Sequence, residues 1–66
     1  MDDELMTVEE IADRLKMHPE SVRRWLREGS MLGVRISRAA GWRVERREVD
    51  RFLREGPRRK ENERPD

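Results

Sequence analysis

The chain has 66 residues, 47% of them charged and 33% hydrophobic, with a net charge of +1 and no cysteine. A chain of this length forms one small domain with a thin core and no room for a large ligand cavity or a multi-part active site. The lack of cysteine excludes disulfide frameworks and cysteine-ligated zinc, and no apolar run approaches the ~18 residues of a membrane span.

Charge is spread unevenly. Residues 1–17 carry six acids and two bases, residues 18–47 three acids and eight arginines, and residues 48–66 six of each. The basic middle third has arginine and no lysine, which suits bidentate contacts to phosphate or guanine. A solvated, salt-bridged surface is the alternative meaning of the same arginines. The acidic opening Met1-Asp2-Asp3-Glu4 is the reverse of a signal peptide's basic lead, so a cytoplasmic protein with no membrane partner is expected. Residues 1–4 are assigned as a disordered acidic N-terminus.

Thr7, followed three residues later by Glu10, forms a capping box that starts the first helix at about Val8, with Met6 placed to staple onto Ile11. Val8, Ile11, Ala12 and Leu15 repeat at i, i+3, i+4 and i+7 and form its core face. Glu9, Glu10 and Asp13 point to solvent, where the helix dipole favours first-turn acids without any catalytic role.

The break falls at Met17-His18-Pro19, because proline cannot continue the first helix but suits the first position of the second. Met17 and Val22 are spaced as a second staple, and His18 takes the cap position. As the single histidine, His18 lacks partners for a metal site, and Ser21 lacks an orienting acid for nucleophilic catalysis. Helix cap and phosphate contact both stay open for His18. In the second helix Val22, Trp25 and Leu26 fall on one arc, and Glu20, Arg23, Arg24 and Arg27 on the opposite one. Glu20 either accepts from a cytosine amino group or pairs with Arg24. The two helices form a helix-turn-helix whose second member would enter a major groove.

Gly29 closes the second helix, and Leu32 leads into an alternating segment. Val34-Arg35-Ile36 and Trp42-Arg43-Val44 predict two antiparallel strands, with Ser37 to Gly41 as a small, cationic wing turn able to approach a phosphate backbone or minor groove. Trp42 is either a core-edge residue or a surface on which a nucleotide stacks. The third helix is predicted from Arg46 to Glu55, with Val49, Phe52 and Leu53 facing inward and Gly56-Pro57 as its stop. Arg46 and Arg47 occupy a helix start that favours acids, a mismatch that nearby phosphate would relieve. Residues 57–66 contain no apolar side chain and are assigned as a disordered charged tail, whose Arg58-Arg59-Lys60 run either touches nucleic acid or stays solvated. The fold class is mainly α with a small β-hairpin, a winged helix-turn-helix of three helices plus wing, over residues 5–56.

Leu5 to Ala12, Val22 to Gly29, Val34-Arg35-Ile36 and Gly41-Trp42-Arg43-Val44 together resemble the excisionase-family winged helix-turn-helix proteins, relatives of the MerR-type DNA-binding domain. The resemblance spans about residues 5 to 54. It implies a recognition helix in the major groove, a wing along the minor groove, and phage or mobile-element excisionases that bend DNA beside an integrase. It also implies kinship with small transcription regulators. The turn from Ser37 to Gly41 is longer than the short glycine turn common in the family, and His18-Pro19-Glu20 replaces a serine-led helix start.

Sequence-specific binding to double-stranded DNA without catalysis is therefore expected, in a bacterial or phage-infected cell and at the nucleoid. His18, Glu20, Ser21, Arg23, Arg24 and Arg27 would supply base and phosphate contacts from the second helix, and Arg35, Arg38, Arg43 and Arg46 would hold the flanking groove. An excisionase is expected over a minimal MerR-like transcription regulator, since the chain leaves no room for an effector or dimerisation domain. A site-specific integrase and neighbouring copies on DNA are the further partners, and no cofactor, metal or small-molecule substrate is expected. The rival class is a protein-interaction adaptor whose cationic face docks an acidic protein. No exposed apolar hot spot is evident in the sequence to support that class.

Overall fold

A computed structural model describes residues 4–58 of the chain. The elements follow as β1 (Leu5–Thr7), α1 (Val8–Leu15), α2 (Pro19–Glu28), β2 (Val34–Ser37), β3 (Gly41–Glu45) and α3 (Arg46–Glu55). Three helices and an antiparallel hairpin make this a winged helix-turn-helix.

Local chemistry sets the helix ends. Thr7 Oγ1 accepts from the Glu10 N–H at 3.1 Å, and Glu10 Oε1 accepts from the Thr7 N–H at 2.9 Å, which is the reciprocal capping box of α1. The helix stops at Lys16, a non-glycine residue in the left-handed region (φ 59°), and the Met17 N–H then donates back to the Ala12 carbonyl at 2.8 Å. Pro19 opens α2 directly after the His18 cap, and Gly29 (φ 86°) closes it.

Val8, Ile11 and Ala12 of α1, Val22 and Leu26 of α2, Val44 of β3 and Val49 of α3 form the buried core. Met31, in the link to the wing, is fully buried among them, although nothing in its local pattern marks it. Trp25 and Phe52 are partly buried against this cluster, with ring centroids 4.7 Å apart and planes tilted by 39°, and so join α2 to α3.

The hairpin belongs to a three-stranded sheet of order β1-β3-β2. β1 pairs Leu5 with Glu45, Met6 with Val44 and Thr7 with Arg43. The Arg46 N–H extends this join by donating to the Glu4 carbonyl at 2.8 Å. On the other side Val34 pairs with Arg43, Arg35 with Trp42 and Ser37 with Gly41, with an irregularity between Arg35 and Ser37.

Val34 and Ile36 are exposed on the edge strand β2, so the alternation that predicts the strand produces no buried face there. Two packing expectations are corrected. Leu53 and Met17 are also exposed, so α3 packs through Val49 and Phe52, and the Met17 staple is not a buried contact. Arg58, placed in the charged tail by composition, is held to the domain: its N–H donates to the Ser30 carbonyl at 2.8 Å, and its guanidinium meets the buried carboxylate of Glu48. Arg59 and Lys60, like residues 1–3, lie outside the described residues.

Candidate nucleic-acid interface

The arc of α2 opposite the buried Val22 and Leu26 carries the exposed Glu20, Arg24 and Arg27 and the half-buried Arg23. His18 is exposed at its start, where Nδ1 accepts from the Glu20 N–H at 3.1 Å. The cap role is thus filled through Nδ1. The Ser21 N–H donates to the His18 carbonyl at 3.0 Å, and its side chain stays half-buried.

Each arginine of this helix faces a carboxylate. Arg23 reaches Glu20 at 3.2 Å and Glu9 of α1 at 3.4 Å, Arg24 reaches Glu28 at 3.7 Å, and Arg27 reaches Glu20 at 3.7 Å. Glu20 is therefore the partner of Arg23 and Arg27 rather than of Arg24. Glu9 gives no local sign of its role, because its contact with Arg23 spans the turn between the two helices.

The wing brings a second set of cations. Arg23, Arg38 and Arg43 line one cleft of about 310 Å3, closed by Trp42 and by the start of α1. Arg43 Nη1 donates to the carbonyls of Ala40 and Trp42, each at 2.9 Å, which holds the side chain along the wing turn. The Ala40 N–H donates to Ser37 Oγ at 2.9 Å and so braces the same turn. Trp42 is partly buried and packed against the core, which fits its core-edge role.

The remaining candidates stand apart. Cross-strand pairing with Trp42 puts Arg35 on the sheet face opposite to Arg43, so the two cannot hold one groove wall together. Arg46, the first residue of α3, is exposed and lines neither the cleft nor the α2 arc. Among the described residues Arg35, Arg38 and Arg46 make no side-chain hydrogen bond or ion pair. No group of three His, Cys, Asp or Glu among the described residues is placed to hold a metal ion. No described helix is long and apolar enough to cross a membrane.

No curated protein matches the sequence. The family model of the helix-turn-helix domain matches residues 5–57, which spans every described element and includes both the α1–α2 pair and the wing. The chain belongs to the helix-turn-helix domain family, a DNA-binding family, and its partner is double-stranded DNA.

Proposed function

We propose that the chain binds double-stranded DNA sequence-specifically, without catalysis, as an excisionase: an architectural factor that bends DNA beside a site-specific integrase and sets the direction of recombination. The observation that carries this reading is the convergence of Arg23 from α2 with Arg38 and Arg43 from the wing on one cleft, next to the outward arc of Arg24 and Arg27. In a winged helix-turn-helix these two elements address adjacent grooves, and a wing in the minor groove favours bent DNA. Base contacts come from Glu20, Arg24 and Arg27, and phosphate contacts from His18, Ser21, Arg23, Arg38 and Arg43, with Arg35 and Arg46, which stand apart from this cleft, adding positive charge at its flanks. The protein acts at the nucleoid, with copies side by side on repeated sites.

A gel-shift titration on DNA from the chain's own genomic neighbourhood, with competitor duplex and varied salt, tests this. Discrete, competitor-resistant bands with the mobility of bent DNA at an integrase attachment site are expected. Discrete bands at a promoter without bending would replace the excisionase with a minimal transcription regulator. Diffuse binding lost at modest salt would overturn sequence-specific recognition.

A further inference from the structure

The sheet has an outer face that no described helix covers. Leu5 of β1, Arg43 and Glu45 of β3, and Val34 of β2 share that face by register. Leu5, Leu32 and Val34 are 55%, 54% and 63% exposed, which corrects the expectation of a surface without an apolar hot spot. The three line a groove of about 580 Å3 whose opposite wall is α3. Along that wall Arg47, Arg51 and Arg54 recur at i, i+4 and i+7, one stripe of the helix. Arg51 and Arg58 turn onto the buried Glu48, whereas Arg47 and Arg54 meet the carboxylates of Glu45 at 3.1 Å and Glu55 at 3.9 Å in exposed pairs, their own side chains 75% and 66% exposed, which a partner's carboxylates can exchange at little cost. The groove therefore joins an apolar floor to five arginines that outnumber its two carboxylates, Glu45 and Glu48.

We propose that this groove docks an acidic segment of a partner protein in which leucine-like side chains alternate with carboxylates. An exposed apolar patch rimmed by charge marks an interaction surface, and here the charge selects the occupant. Apolar side chains of the segment cover Leu5, Leu32 and Val34, and its carboxylates pair with Arg47 and Arg54. A nucleic-acid backbone fits less well, because it offers nothing to cover three apolar side chains. Strand β2 adds an unpaired edge along which an extended segment can run. No residue of α2 lines the groove, so the domain can hold DNA and this partner together. Arg43, which lines both the groove and the wing cleft, is the point where the two sites adjoin.

The test is fluorescence anisotropy with the full chain and a short fluorescein-labelled peptide alternating leucine with aspartate. Two control peptides carry lysine for aspartate or alanine for leucine. Val34→Asp and Arg54→Glu are made separately, each checked by thermal melting and by gel shift. Saturable binding of the acidic leucine peptide alone is expected, weakened about tenfold or more by either substitution. DNA affinity should stay within about threefold at fixed salt. Equal binding of the alanine peptide would reduce the groove to generic charge attraction and overturn the proposal. Unchanged peptide affinity in both folded variants would overturn it as well, and loss of DNA affinity in Val34→Asp would assign the face to nucleic acid instead.

Discussion

Arg58 and Glu48, ten residues apart in sequence, meet in a two-pronged ion pair: Arg58 Nε donates to Glu48 Oε2 at 3.0 Å, and Arg58 Nη2 to Oε1 at 2.9 Å. Arg51 grips the same two oxygens at 3.1 and 3.2 Å, and the Leu32 N–H donates to Oε2 at 3.1 Å. One carboxylate, 8% exposed, thus ties α3 to the start of the wing and to the chain beyond Gly56. Burial alone would raise the Glu48 pKa, but the hydrogen bonds from Arg58, Arg51 and the Leu32 N–H outweigh it and lower it from 4.5 to about 2.

Because the carboxyl is more acidic when folded, its stabilisation is complete above the unfolded value of 4.5 and is lost as pH falls toward 2. Thermal melts followed by circular dichroism should show a loss of about 2–3 kcal/mol across that window from this group. Glu48→Gln should lower the melting temperature at neutral pH and flatten the acid dependence, whereas Arg58→Ala should lower the melting temperature and keep part of the acid dependence through Arg51.

Gly33→Ala should destabilise the domain by about 1–3 kcal/mol. A Cβ there would lie 2.9 Å from both Leu26 Cδ2 and Val44 Cγ2 and 3.0 Å from the Arg43 carbonyl, so the link between α2 and the wing has no slack. Urea unfolding with an unchanged m-value is the measurement, and a variant as stable as the parent would show that the two side chains can move aside.

Trp25→Ala should cost about 3 kcal/mol, through lost packing on the core and on Phe52. A double-mutant cycle with Phe52→Ala should return a coupling of about 0.5–1.5 kcal/mol for the ring contact. Additive losses would mean that the two rings contribute only by covering the core separately.

Arg27→Ala should reduce specific DNA affinity by about 1–3 kcal/mol at fixed salt and relax specificity at one position, with the fold intact. Arg38→Ala, at the wing turn, should instead weaken binding to specific and unrelated duplexes alike. Competition gel shifts against mutated sites separate the two results.

Features written in neighbouring residues were legible in the sequence. Thr7 and Glu10 announce α1, Pro19 and Gly29 bound α2, and the span of α3 from Arg46 to Glu55 is as expected. Features supplied by distant partners were not. Leu5 to Thr7 is too short to signal a strand, and becomes one because β3, some forty residues on, offers its free edge. Val34 and Ile36 carry a correct strand pattern, but their burial depends on what packs behind them, which no local spacing records. Arg51, one turn from Glu48, was a local clue to that network, whereas Arg58 lay in a run that composition marked as tail. Of the candidate interface, the α2 arc was legible from helical periodicity, while the separation of Arg35 from Arg43 follows only from the strand register.

The pairing of every arginine on α2 with a carboxylate has a kinetic consequence at the proposed interface. Arg23, Arg24 and Arg27 are matched by Glu9, Glu20 and Glu28, so at a Debye length the helix presents little net charge to an approaching duplex. Long-range steering then falls to Arg35, Arg38, Arg43 and Arg46, none of which is matched by a carboxylate among the described residues. Exposed ion pairs contribute only ~0–1 kcal/mol, so those on the helix open readily once a guanine edge or a phosphate is within reach. On the proposed reading, encounter belongs to the wing and the start of α3 and discrimination to α2, so that added salt should slow capture more than it blurs the choice of sequence.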